Sequence, residues 1–291
     1  MKEIVIISGK GGTGKTTITA AFASLVENKV MADCDVDAAD LHLILSPEIQ
    51  HEEDFYSGKT AFIRENDCTL CGKCVEVCQF NAISPDFVVD PVACEGCGVC
   101  VYFCPVDAID FNDNLSGRWF ISNTCFGPMV HARLGIAEEN SGKLVTLVRR
   151  QAKLLAEKQN ADFIIVDGAP GIGCPVISSI TGANAVLVVT EPTLSGQHDL
   201  ERVVNLAANH FQTPTFVCVN KFDLNVEMTD QIKEFCKNNH IHFVGQIPYD
   251  TIVTDAMVQA KTIIEFSDGV ISKEINRMWD RIVRSLTNQS H

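Results

Sequence analysis

The chain has 291 residues, enough for one large domain or two smaller ones, and 46% of them are hydrophobic, enough for a sizeable core. A formal net charge of −14 disfavours nonspecific nucleic-acid binding, and with no run of about 18 apolar residues no membrane span is expected. The start, Met-Lys-Glu passing straight into an apolar run, does not read as a secretory signal, so a cytoplasmic location is expected and the thirteen cysteines argue for metal rather than disulfides.

The apolar run Ile4 to Ile7 predicts a buried strand, and Thr16 to Glu27 predicts a helix. Between them Gly9-Lys10-Gly11-Gly12-Thr13-Gly14-Lys15-Thr16-Thr17 contains the G-x-x-x-x-G-K-[ST] pattern of a phosphate-binding loop. Glycines let backbone N–H groups curl around phosphate oxygens, and the helix start adds its positive dipole end. Lys15 is placed to reach the β- and γ-phosphates of a nucleotide, and Thr16 to ligate Mg²⁺.

A second strand, Val30 to Ala32, ends in Asp33-Cys34-Asp35-Val36-Asp37, carboxylates where open α/β sheets place ligands. Cys34 reads as a small buried hydrophobe. Residues Ser46 to Lys59 are polar and read as a linker. The composition then shifts. Cys68, Cys71, Cys74 and Cys78 form C-x-x-C-x-x-C-x-x-x-C, and Cys94, Cys97, Cys100 and Cys104 repeat it 26 residues later, with Pro105 following. This is the bacterial two-cluster ferredoxin pattern, in which the fourth cysteine of each run serves the other cluster. One [4Fe–4S] cluster is therefore expected on Cys68, Cys71, Cys74 and Cys104, and a second on Cys78, Cys94, Cys97 and Cys100. Zinc is the alternative occupant. Gln79 replaces the proline expected after Cys78, away from any ligand. The insert, residues 60–112, is acidic and would suit a basic redox partner, although a merely solvated face explains the charge equally well.

Beyond the insert, Arg118 to Ser122 reads as a strand, Asn123 to Asn140 as a loop holding Cys125 and His131, and Gly142 to Gln159 as a helix. Phe163 to Val166 is a buried strand running into Asp167-Gly168-Ala169-Pro170-Gly171, where an aspartate after four apolar residues is placed to hold Mg²⁺ and the Gly-rich turn to move on hydrolysis. Strands Ala185 to Thr190, Thr215 to Val219 and His242 to Ile247 alternate with helices Gly196 to Phe211 and Glu227 to Asn238. Asn220-Lys221-Phe222-Asp223 follows the second of these strands and Pro248-Tyr249-Asp250 the third. An amphipathic tail helix covers Asp268 to Leu286.

The second lysine in Lys10-Gly11-Gly12-Thr13-Gly14-Lys15-Thr16-Thr17 resembles the deviant Walker A loop of the MinD/ParA/nitrogenase-iron-protein class of ATPases, here with an inserted ferredoxin-type domain. That resemblance implies an α/β fold: a mostly parallel sheet with helices on both faces, residues 1–59 and 113–291, plus a small α+β insert at 60–112. It implies a nucleotide-sandwich homodimer with Lys10 acting in trans, against the alternative of a solvated surface lysine. Asp35 would orient the attacking water, with Asp37 a weaker candidate near Mg²⁺. Asn220 and the Pro248, Tyr249, Asp250 segment would flank adenine; the N-K-x-D match leaves GTP as an alternative. Cys174, with Cys125, matches the place of a bridging-cluster cysteine of the nitrogenase iron protein, against a buried thiol. MinD uses its tail helix on membranes, whereas here a helix closing the core is expected. Three functions follow from the resemblance: ATP-gated electron transfer to a metalloprotein partner, metallocofactor assembly of the Mrp type, and spatial organisation of the MinD kind.

Overall fold

Ile4, Val5, Ile6 and Ile7 are all completely buried in β1 (Lys2–Ser8). Alternate residues of a strand point to opposite faces, so both faces of this strand are covered, as a central parallel strand requires. The computed structural model describes residues 1–135 and 141–288.

The other elements follow in chain order: α1 (Lys15–Leu25), β2 (Lys29–Asp33), α2 (Leu41–Leu45), β3 (Glu48–Ile63), α3 (Lys73–Val77), α4 (Val99–Tyr102), β4 (Ile109–Thr124) and β5 (Gly127–Leu134). Then come α5 (Ser141–Gln159), β6 (Phe163–Pro170), α6 (Cys174–Ile180), β7 (Ala185–Thr190), α7 (Leu194–Val204), β8 (Thr215–Asn220) and α8 (Val226–Asn238). The chain finishes with β9 (His242–Ile247), α9 (Ile252–Val258), α10 (Ile263–Phe266) and α11 (Val270–Asn288). The sheet order is β3-β4-β5-β2-β6-β1-β7-β8-β9. Every pairing from β5 through β9 is parallel. Helices flank this mostly parallel sheet, so the expected α/β architecture is present.

The chain divides into two compact units. The first comprises Met1–Glu53, Trp119–Arg133 and Ser141–His291. Its core joins Ile4 and Ile6 of β1 to Phe22 of α1, Phe216 of β8, and Ile275, Met278 and Ile282 of α11. The second comprises Asp54–Arg118 with Leu134–Asn140, of which Leu134 and Gly135 are described.

Three sequence expectations fail here. Residues 46–59 are not a linker, because β3 begins at Glu48 and runs to Ile63. Its first seven residues are all exposed, so its polarity is that of a charged edge strand, which discourages pairing with other chains. Nor are residues 123–135 a loop. The strand foreseen at 118–122 is the end of the longer β4, and the Thr124 hydroxyl donates to the Gly127 carbonyl at 2.8 Å to close a tight turn into β5. Met129, Val130 and Ala132 are buried there, but His131 among them and Pro128 and Arg133 on either side mask the apolar signal. Residues 136–140 of that expected loop lie outside the described residues. The helix expected to reach Phe211 gives way at Asn205 to a π-helical turn, Asn205–His210.

In the second unit the backbone repeats with the sequence. Left-handed φ angles recur 26 residues apart, at Leu70 (56°) and Gly96 (62°), Gly72 (77°) and Gly98 (72°), and Asn81 (53°) and Asp107 (53°). The short helices α3 and α4 start one residue after Gly72 and Gly98. The unit's small core contains Ile63, Ile83 and Ile109 together with Cys74 and Cys100.

Candidate functional site

The loop between β1 and α1 is shaped by residues that accept left-handed backbone. Gly12 has φ 78° and Gly14, capping α1, has φ 90°. A Cβ on Gly14 would also come within 2.3 Å of Asn220 Nδ2, so only glycine fits. Asn220, at the end of β8, donates from Nδ2 to the Thr13 carbonyl at 2.8 Å and accepts the Lys221 N–H on Oδ1 at 3.0 Å. It thereby ties the loop to the far side of the site.

Lys15 projects from the first turn of α1 into a set of carboxylates. Its Nζ lies 2.9 Å from Asp167 Oδ1 and 3.2 Å from Asp35 Oδ2, and all three residues are buried. Burial works against the ammonium charge, but Asp167 and Asp35 outweigh it and hold the lysine above its ordinary pKa. Burial likewise raises the Asp35 carboxyl, with Lys15 pulling the other way. Asp167 is completely buried within β6, after its four leading apolar residues. Its Oδ2 accepts the Thr16 hydroxyl at 2.7 Å and its Oδ1 also accepts the Thr19 hydroxyl at 2.9 Å. Thr16 and Asp167, the expected Mg²⁺ ligands, are thus in direct contact.

A cavity of about 540 Å³ opens over this cluster. The loop and first helical turn, Gly11 through Thr17, line one part with Asp35. Asn220, Pro248, Tyr249 and Asp250 line another, with Leu43, Val253 and Met257 supplying apolar surface. The volume suits a nucleotide-sized ligand. The Tyr249 N–H donates to Asp223 Oδ1 at 2.7 Å, so the aspartate of N-K-x-D holds the Pro248–Asp250 segment. Lys10 does not line the cavity. Its Nζ lies 3.5 Å from Glu191 Oε2 and donates to Ser195 Oγ at 3.2 Å. Asp37 is exposed.

Three contributors were not foreseen. Thr19 lies one turn beyond the motif. Asp33, fully buried at the end of β2, accepts the Asp35 N–H on Oδ1 at 3.1 Å, and its Oδ2 has no hydrogen-bond partner among the described residues. Burial, reinforced by Asp167, pushes its carboxyl well above the usual range. Glu191 follows β7 directly in Thr190-Glu191-Pro192, a charge just after the apolar run Ala185 to Val189 that was the available signal.

The eight cysteines fall into two groups. Cys68, Cys71, Cys74 and Cys104 line one small cavity, and Cys78, Cys94, Cys97 and Cys100 line another. These are the two quartets expected from the crossed ferredoxin spacing. Backbone N–H groups point at two of the sulfurs, Leu70 N to Cys68 Sγ at 3.4 Å and Ala108 N to Cys104 Sγ at 3.3 Å. Among the described residues no three His, Cys, Asp or Glu side chains are gathered to hold a metal ion. A cubane spaces its thiolates more widely than one ion does, because each thiolate binds a different corner. Cys125 and Cys174 have unrelated surroundings. Cys125 sits at the β4–β5 turn near Lys29 and Glu265, and Cys174 opens α6 against Gly142. Among the described residues no helix is long and apolar enough to cross a membrane.

A family model for the CobQ/CobB/MinD/ParA nucleotide binding domain matches residues 4–263. An uncharacterised protein of Methanocaldococcus jannaschii is 33% identical over 283 residues, which cover 96% of each chain. The fold is similar to that of the cell division ATPase MinD of Pyrococcus furiosus, with a TM-score of 0.58 and 18% identity over 97% of this chain and 98% of that one. It is also similar to the septum site-determining protein MinD of Pyrococcus horikoshii, solved with Mg-ADP, with a TM-score of 0.58 and 16% identity over 97% and 95%.

Proposed function

This chain belongs to the CobQ/CobB/MinD/ParA nucleotide-binding domain family, and from that premise we propose that it is a Mg²⁺-dependent ATPase working as a nucleotide-sandwich homodimer, its nucleotide state coupled to electron transfer to a metalloprotein partner. The observation that carries the ATPase reading is the contact of Lys15 with Asp167 and Asp35 beneath the loop-lined cavity. On nucleotide binding Lys15 would exchange the Asp167 carboxylate for the β- and γ-phosphates. The freed Asp167 and the Thr16 hydroxyl would then hold Mg²⁺. Asp35, released from Lys15, would accept a hydrogen bond from the attacking water and orient it. Lys10 would neutralise charge on the nucleotide of the other subunit. Adenine would lie against Asn220 and the Pro248–Asp250 segment.

The electron-transfer part rests on the cysteine quartets. Cys68, Cys71, Cys74 and Cys104 would hold one [4Fe–4S] cluster, and Cys78, Cys94, Cys97 and Cys100 the other. The donor chemistry fits: four thiols per cavity and, in the first of them, two backbone N–H groups aimed at sulfur. Such clusters supply one-electron transfer. Coupling would run through the backbone. The chain leaves the second unit along β4, turns into β5, and β5 pairs Met129 and Val130 with Met31 and Ala32 of β2, the strand that delivers Asp33 and Asp35.

The test is a redox titration of the iron-loaded protein without nucleotide, with ADP and with a nonhydrolysable ATP analogue. Coupling predicts potentials that differ between the three states, and by reciprocity a nucleotide affinity that changes on reduction by the same factor. Identical potentials and partner-transfer rates in all three would refute it. A second reading, spatial organisation of the MinD kind, is favoured by the likeness to the two MinD structures. It predicts ATP-dependent binding to lipid vesicles, independent of cluster redox state.

A further inference from the structure

Glu191 sits between Lys221, which lines the nucleotide cavity, and Lys10, which does not. Its Oε1 lies 2.6 Å from Lys221 Nζ and its Oε2 3.5 Å from Lys10 Nζ. Lys221 Nζ also reaches the Gly12 carbonyl at 3.5 Å, and Lys10 Nζ donates to Ser195 Oγ at 3.2 Å. Lys10 is therefore held on its own subunit, by the carboxylate and hydroxyl that bracket the start of α7.

We infer that Glu191 is a latch on Lys10: it keeps the lysine in cis and must release it before the lysine can reach the nucleotide of a second copy of this chain. This rests on the trans-acting role proposed above for Lys10.

The two contacts of Glu191 are unequal, and the inequality gives the direction. The Lys221 pair is short, and Glu191 itself is only 16% exposed. The Lys10 pair is long, and Lys10 is 33% exposed. When Lys10 departs, Glu191 keeps a full counter-ion in Lys221, so no buried charge is stranded, the outcome that makes breaking a buried pair expensive. The contact given up is a partly solvated one of modest worth. Such a device sets a threshold without blocking the site. Phosphate charge from the partner's nucleotide can outcompete one carboxylate that is already shared, whereas an empty partner site offers nothing to compete with. Position also supports the assignment. Glu191 and Ser195 stand on the β7–α7 connection, so any nucleotide-driven shift of that connection alters both cis contacts of Lys10 together.

The experiment compares wild type, Glu191→Gln, Lys10→Ala and the double variant by sedimentation, with Mg-ATP and with Mg²⁺ and a nonhydrolysable analogue, while monomer nucleotide affinity is followed by a fluorescent analogue. A two-fold dimer releases two such lysines, so the factor for one exposed pair enters twice. Glu191→Gln is expected to lower the dimer dissociation constant about five- to twenty-fold, and the monomer affinity, followed in parallel, separates this from any tighter nucleotide binding by the freed Lys221. In the Lys10→Ala background the same substitution is expected to do nothing. Ser195→Ala, which leaves Glu191 in place, should move dimerisation the same way by a smaller factor and serves if the Gln variant misfolds. If Glu191→Gln leaves dimerisation unchanged or weakens it while Lys10→Ala impairs it, the latch is wrong and the trans-lysine reading stands. If Lys10→Ala changes neither dimerisation nor turnover, the reading underneath fails. If Glu191→Gln acts equally with and without Lys10, its effect does not pass through the lysine and the latch is overturned.

Discussion

Asp33, the last residue of β2, and Asp167 within β6 are register partners on adjacent parallel strands, and both are buried. With Asp35 beside them, three carboxylates surround the ammonium of Lys15. The site concentrates negative charge where a divalent cation is expected, and the lysine balances it.

That balance makes Lys15 a stability residue as well as a ligand for phosphate. Lys15→Ala is expected to destabilise the nucleotide-free protein by about 3–5 kcal/mol, because it strands buried carboxylates. Mg²⁺ alone should then raise the melting temperature of the variant much more than that of wild type, since Asp35 and Asp167 are no longer occupied by a lysine. Thermal melts of both proteins with and without Mg²⁺ check this. Equal Mg²⁺ responses would show that the carboxylates do not gather a cation.

A pH dependence follows from His131 on β5. It is stacked on Phe120 with ring centroids 5.0 Å apart, and its Nε2 pairs with Ser122 Oγ at 2.8 Å. Burial, with His42 and Arg133 adding repulsion, lowers its pKa from 6.5 to about 4. The unfolded chain therefore binds more protons than the folded one between these values. The stability this contributes is present above pH 6.5 and is lost as pH falls through 4, about 3 kcal/mol in all. Urea unfolding at pH 7, 5.5 and 4.5 should show the decline. His131→Gln should start less stable at pH 7 and decline less steeply over the same interval.

The cysteine unit makes a prediction about which thiols belong together. After anaerobic reconstitution the chain should hold about eight irons, by the two-cubane spacing. Cys104→Ala is expected to disturb the cluster of Cys68, Cys71 and Cys74, 30 or more residues earlier in the chain, and to spare that of Cys94, Cys97 and Cys100. Iron analysis and paramagnetic resonance of Cys104→Ala and Cys78→Ala separate the two. Loss of the cluster nearer in sequence in each variant would replace crossed with local ligation. Stoichiometric zinc without iron would remove the clusters altogether.

What the sequence made legible were features whose chemistry demands fixed spacing. The loop from Lys10 to Thr17, Asp167 after its apolar strand, and the paired cysteine runs were found because each occupies consecutive or evenly spaced positions. β3 and β5 were missed for a reason shared by strands near a sheet edge. Few of the β3 side chains are buried, and the inward residues of β5 are interleaved with Pro128, His131 and Arg133. Glu191 was missed because its meaning lies in two lysines, one 181 residues before it and one 30 after it. Asp33 was within the quoted Asp33–Asp37 segment, but its burial depends on β6 lying alongside β2, which no local pattern reveals.

The tail helix decides between a membrane-directed and a core-directed role. Ile271, Ile275, Met278, Ile282 and Leu286 of α11 are buried. Met278 fills the space over Gly245, where a Cβ would meet its Cγ at 2.4 Å, and its Sδ lies 3.6 Å from Cys218 Sγ. Trp279 packs on Phe22 and Phe163 with centroids 5.1 and 5.2 Å away, and Lys2 Nζ donates to the Leu286 carbonyl at 2.7 Å. The apolar stripe is consumed inside its own unit, so it cannot enter a lipid surface without opening the core. Met278→Ala should therefore cost about 2–5 kcal/mol, and removing residues 268–288 should leave a protein without a cooperative melt. Vesicle sedimentation with Mg-ATP, on wild type and on the Met278→Ala protein, completes the measurement, with no lipid binding expected from either. A truncated chain that keeps its melting transition while losing vesicle binding would reverse the conclusion, making α11 a detachable membrane anchor and moving the spatial-organiser reading ahead of electron transfer.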